Sequence, residues 1–168
     1  MTLLLIYIIA VVSISFLCSL MESILLSLNF SYIQVLKRDR PVVGGMLEKL
    51  KKEIGVPLSA ILIINTIANT IGAAGVGAQS AALFGMEYMF YVSAALTLLI
   101  LFASEIIPKT IGAIFWKELA PVAAYVLRVM IFISYPLVKV AIFVTRKISG
   151  KRKGHLMTRE ELLESALM

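Results

Sequence analysis

The stretch YVSAALTLLILFASEIIPK, Tyr91 to Lys109, decides how this chain is read. From Tyr91 to Ser104 it carries no charged side chain. Glu105 ends the run, and Ile106-Ile107-Pro108-Lys109 follows. An unpaired carboxylate in or near the bilayer costs roughly 2.5–3.5 kcal/mol on insertion scales, so a membrane protein that keeps one usually uses it. A cation, a proton or a buried partner are the three readings of Glu105.

The rest of the composition agrees with a membrane setting. The 168 residues are 60% hydrophobic, with a mean hydropathy of +0.96, too apolar for a soluble domain. The net charge of +6 is clustered, at Lys37, Arg38, Arg40, Lys49, Lys51 and Lys52 and again from Arg146 to Lys153. Such clusters flank membrane spans on the cytoplasmic side. No basic–aromatic motif argues for nucleic acid. Cys18 and His155 are the only residues of their kinds, which rules out an intramolecular disulfide and argues against a histidine-based zinc site or a Ser-His-Asp triad. No HExxH, GxSxG, Walker A or GxGxxG pattern occurs, so an enzyme is not expected. The N-terminus lacks a basic n-region, and its apolar stretch is too long for a signal peptide.

Working outward, the first span covers about 3–28, the second 57–83 and the third 88–107, stopping at Pro108. Between spans one and two, Met46 to Lys52 alternates like a short amphipathic helix after a break at Pro41 and Gly44-Gly45. Residues about 117–148 form juxtamembrane helix. Within them Ala120 to Val144 is interrupted by Pro121, Arg128, Pro136 and Lys139, and reads as an interfacial belt bent at Pro136. A fourth span is the alternative. The loop after span one carries six Lys/Arg and the loop after span two none. That places the N-terminus outside, the C-terminus inside and three crossings between them. At Thr158 and Glu161 a capping box opens a charged helix, so the expectation is a linker over 151–168 within a longer protein.

Polar residues inside the spans fall in three groups. Ser15, Ser19, Ser23 and Ser27 recur every four residues, with Glu22 beside them. Asn65 and Asn69 are one turn apart, with Gly72 on the same face. Ser104 and Glu105 precede the proline. These groups supply oxygen ligands, which suit hard cations such as magnesium, calcium or sodium. The structural readings stand beside this one. The serines bond back to i−4 carbonyls, the asparagines join helices, Glu22 is solvated or paired, and Glu105 pairs with Lys109. Gly72 to Gly77 is a close-packing surface rather than a ligand loop.

At Ser19-Leu20-Met21-Glu22-Ser23, Asn65-Thr66-Ile67-Ala68-Asn69 and Ser104-Glu105-Ile106-Ile107-Pro108-Lys109 the sequence resembles the transmembrane domain of the CNNM/CorC family of magnesium transporters. The resemblance covers nearly the whole chain. It implies an all-α integral membrane homodimer in the cell membrane, each subunit with three transmembrane helices and a belt helix. It implies Mg²⁺ transport by alternating access, described as export and linked to Na⁺ entry. Carried over by motif, Ser19, Asn69 and Glu105 are the ligands. A backbone carbonyl near Phe102 joins them, and Ser23 and Asn65 are second choices. In the family, paired CBS domains bind ATP; this chain does not include them, so nucleotide binding is not expected of it. The rival reading is a non-transporting scaffold or Mg²⁺ sensor that anchors soluble domains.

Overall fold

The computed structural model describes residues 1–149, and side chains as far as Val144. The capping box at Thr158 and the 151–168 linker lie outside the described residues. Every regular element among the described residues is helical. The first, α1 (Thr2–Ser27), is 26 residues long, about 39 Å at 1.5 Å per residue, enough to cross a bilayer. Its C-terminal carbonyls are capped from a distance, as Lys51 Nζ reaches the carbonyls of Leu25 and Leu26 at 3.1 and 3.2 Å.

Two short helices follow. Asn29 caps α2 (Phe30–Asp39) by accepting the Tyr32 N–H at 2.8 Å. Pro41 opens α3 (Pro41–Lys52), where its missing N–H costs nothing. The expected break is therefore only partly found. Pro41 does separate two helices, but Gly44-Gly45 lies inside α3, because Gly44 packs against the Lys37 backbone too closely for a Cβ.

Long helices make up the remainder. After α4 (Gly55–Phe84), Gly85 turns the chain at φ 92°, a left-handed value that glycine adopts freely. Then α5 (Met86–Leu99), a π-helical segment (Ile100–Ile106) and α6 (Ile107–Ile114) form one continuous rod. The third span does not stop at Pro108, as expected, but runs on to Ile114. The π turn explains this: Ile107 N–H bonds to the Phe102 carbonyl five residues back, and the widened ladder carries the helix past the proline.

The last helix, α7 (Trp116–Ser149), contains Pro121 and Pro136 without ending at either. Pro121 cannot donate to the Lys117 carbonyl, and the Tyr32 hydroxyl donates to it instead, at 2.7 Å. Tyr32 also meets Trp116 edge-on, with ring centroids 5.0 Å apart.

Among the described residues four helices, α1, α4, the Met86–Ile114 rod and Trp116–Val144 of α7, are long and apolar enough to cross a membrane. The first three match the expected spans, with different ends. The fourth packs in another manner. Near Pro121 and Tyr125, α7 shares a cleft with Arg40 to Val43. Near Arg128 it shares one with Met46 and Lys49. From Ile131 to Phe143 it stays beside Glu53 and Val56. It passes α3 and then packs along α4, where Ile133, Ser134 and Leu137 share a cavity with Ile63 to Gly72 and with Tyr7 and Val11 of α1. Leu25, Ile33, Leu47, Ala124 and Leu127 close the core where these helices meet.

Candidate ion site

The register of the site is set by close contacts along α1. Gly72 of α4 lies against Val11, and Gly75 against Tyr7, so α4 runs antiparallel to α1. These contacts make Gly72 and Gly75 part of a packing surface. On the other side, Gly112 of α6 lies against Ser23 and the Leu20 carbonyl. Ser23 Oγ donates to the Lys109 carbonyl at 2.6 Å, and Lys109 Nζ pairs with Glu22 Oε2 at 3.4 Å. Earlier in the rod Leu96 and Val92 pack with Leu4, Tyr7 and Val11, so the rod runs parallel to α1.

A step of four residues overshoots a helical turn by about 40°. The row Val11, Ser15, Ser19, Ser23 thus rotates from the face that meets α4 to the face that meets α6. Ser15 and Ser19 sit between, and both are buried. Carrying the antiparallel register back from Gly72 brings Asn69 and Asn65 to the level of Ser15 and Ser19. Carrying the parallel register back from Lys109 brings the π segment, with Ser104 and Glu105, to the same level. The π segment and α4 both pack on α1.

The oxygens gathered there lack partners. Ser15 Oγ, Asn65 Oδ1, Asn69 Oδ1 and Ser104 Oγ are buried and accept or donate no hydrogen bond. A buried unsatisfied polar group costs about 1–3 kcal/mol. Ser80 Oγ is a fifth such atom, but it lies three turns further along α4. The expected back-bonds to i−4 carbonyls are made elsewhere, by Thr97, Thr110 and Ser134, and not by Ser15. Nor do the asparagine carbonyl oxygens tie helices together.

Glu105 is half-buried, and among the described residues it makes no ion pair. The structural reading that paired it with Lys109 is corrected: Lys109 goes to Glu22 on the neighbouring helix. Among the described residues no three His, Cys, Asp or Glu side chains converge. Any ion held here meets one carboxylate and several neutral oxygens.

Backbone oxygens add to the set. The Phe102 carbonyl already accepts Ile107 N–H, which leaves one lone pair. The next acceptor in that five-residue register, Ala103, faces Pro108, which has no N–H to give. The resemblance names Ser19, Asn69 and Glu105 as ligands, with Ser23 and Asn65 as second choices, and the register brings Ser19, Asn65, Asn69 and Glu105 to one level. Ser23 sits about a turn below, its hydroxyl donated to Lys109. Ser15 and Ser104 belonged to the polar groups read from the sequence but not to the carried-over ligands, and the Ala103 carbonyl was not singled out. The signal for that carbonyl was Pro108 itself, five residues downstream.

The described residues thus form an all-helical membrane-protein domain with several apolar helices, and unpartnered oxygens gather against its first helix. The chain belongs to the Cyclin M transmembrane N-terminal domain family, whose model matches residues 5–166. It is 29% identical over 136 residues to a UPF0053 protein of Synechocystis, covering 80% of this chain and 39% of that protein. It is 31% identical over 117 residues to a UPF0053 protein of Haemophilus influenzae, covering 70% of this chain and 28% of that one. The chain thus matches well under half the length of either relative.

Proposed function

We propose that this chain is the membrane domain of a Mg²⁺ transporter that works by alternating access. One observation carries the reading: four buried side-chain oxygens without hydrogen-bond partners lie level with an unpaired carboxylate, Glu105. Mg²⁺ demands oxygen ligands in near-octahedral geometry and gives up its waters reluctantly. Ser19, Asn69 and Glu105 supply three, Ser15, Asn65 and Ser104 lie within the same cluster, and a Phe102 or Ala103 carbonyl completes it. Glu105 offsets the charge of the dehydrated ion. Opening toward the cytoplasm separates α6 from α1 where Ser23 and Glu22 hold Lys109. Export, with Na⁺ entry as its drive, is the direction that the family resemblance favours.

Three crossings accompany this function. Pro121, Arg128, Pro136 and Lys139 within α7 support a belt, and the basic loop between α1 and α4 supports a cytoplasmic position for it with the N-terminus outside. The cell membrane is the proposed location. A homodimer is proposed from the family resemblance, with the largely uncovered Met86–Ile114 rod available for its interface.

The test is thermal stability of the purified chain against Mg²⁺. A ligand bound only by the folded state stabilises it by about 2.7 kcal/mol at a hundredfold excess over Kd. The wild type is expected to rise with Mg²⁺ and Glu105→Gln to stay flat. A Glu105→Gln protein that responds as the wild type does would falsify the site. No response in either protein would restore the scaffold reading.

A further inference from the structure

Two adjoining cavities lie along the seam where α7 meets the end of α3 and the start of α4. The first, about 500 Å³, is lined by Met46, Lys49, Leu50, Glu53, Arg128 and Ile131, among others. The second, about 390 Å³, shares Glu53, Val56 and Ile131, and adds Lys139 and Phe143. The larger volume falls within the usual range for small-molecule sites.

Charge in the seam is unbalanced. Lys49, Arg128 and Lys139 contribute three cations against the single carboxylate of Glu53. Lys49 and Arg128 make no ion pair among the described residues, and neither does Glu53. Neighbouring basic residues are engaged: Lys37 and Lys52 hold Glu48, and Lys51 caps α1. Lys139 lies over the Tyr135 ring, 4.7 Å from its centroid. The walls between these charges are apolar, from Met46 and Leu50 to Ile131 and Phe143.

The ligand that matches has an anionic head and a hydrocarbon tail. The seam sits at the first turn of α4, where a membrane-spanning helix leaves the bilayer and lipid headgroups lie. We propose that it is a binding site for one anionic phospholipid. Its phosphate sits between Lys49 and Arg128, and an acyl chain lies along Ile131 and Phe143. Arginine grips phosphate through paired N–H donors, and basic pockets between helices on the cytoplasmic side suit lipid headgroups. A free phosphate gains nothing from the apolar walls. The site is independent of which ion Glu105 holds.

The test uses the purified chain in detergent with added phosphatidylglycerol, phosphatidylcholine or inorganic phosphate. Retained lipid is read by native mass spectrometry and the midpoint by thermal unfolding. Phosphatidylglycerol is expected to remain bound at one copy and to raise the midpoint, with the other two ineffective at equal concentration. Lys49→Gln with Arg128→Gln is expected to weaken apparent affinity at least tenfold, and Arg38→Gln with Lys117→Gln to leave it unchanged. Equal loss in both double variants would mean diffuse surface charge and overturn the site. So would equal binding of phosphatidylcholine, or an inorganic phosphate effect as large as the lipid's. Circular dichroism checks the fold. If the double variant does not fold, Arg128→Lys replaces it; that change keeps the charge, removes the paired grip and is expected to cost several-fold in affinity. Unchanged affinity in that variant would also count against the proposal.

Discussion

Two adjacent glycines behave oppositely. A Cβ on Gly44 would run into the Lys37 backbone, whereas Gly45 has nothing within 4 Å. Gly44→Ala is expected to destabilise by about 1–3 kcal/mol, since backbone cannot step aside as a side chain does. Gly45→Ala is expected to stabilise by up to about 1 kcal/mol through helix propensity. Thermal unfolding of the two variants in one detergent measures both, and equal shifts would refute the packing of α2 on α3. Gly112 is constrained like Gly44, by Ser23 and the Leu20 carbonyl. Glu105 was legible in the sequence because a carboxylate closing an uncharged run stands out by itself. Its lack of a partner was not legible, because i+4 spacing placed Lys109 next to it on an ideal helix.

Among the elements, the π segment and the α2–α3 pair make separate predictions. Pro108 withholds an N–H from the turn that carries Ser104 and Glu105. Pro108→Ala supplies that N–H, and the mutant is expected to keep its helix content while losing part of its Mg²⁺-dependent stabilisation. An unchanged Mg²⁺ response would remove the backbone carbonyl from the ligand set. In the hairpin, Lys37 and Lys52 donate to Glu48 at 2.6 and 2.8 Å. These bonds, that from Lys37 first, hold the carboxyl at about 2, down from the ordinary 4.5. A carboxyl lowered in the folded state stabilises it above its unfolded pKa, and that contribution is lost as pH falls toward the folded value. Protection of the α2 and α3 amides, taken relative to the intrinsic exchange rate at each pH, should therefore fall between about pH 4.5 and 2, and Glu48→Gln should flatten that dependence. Burial lowers the Lys51 pKa, as befits an ammonium enclosed against the end of α1.

For the whole molecule, the number of crossings is the open prediction. With α7 as a belt, Lys49 and Lys139 face the same side of the membrane. Lys49→Cys and Lys139→Cys, each made with Cys18→Ser, should react with an impermeant thiol reagent from the cytoplasmic side only. Labelling of position 139 from the opposite side would make α7 a fourth span. Hydropathy does not decide this, because Trp116–Val144 is as apolar as a spanning helix. Pro121 and Pro136 lie inside α7 without ending it, and at Pro121 the Tyr32 hydroxyl takes the carbonyl that the proline cannot serve.

Some of the molecule follows from local order alone. Long uncharged runs make helices that must bury their backbone polar groups, so the helical membrane class and the first two long apolar helices are readable without coordinates. The oxygen chemistry of the site is also local, because serine, asparagine and glutamate declare their ligand atoms by type. Tertiary structure decided the rest. The helix past Pro108 depends on a widened turn, and the Glu22–Lys109 pair joins residues 87 apart in sequence. The level at which Ser15, Asn69 and Glu105 meet depends on glycines that let helices approach in one register. None of these is encoded in spacing along one helix. They arise only when several helices pack and exclude the alternatives by contact.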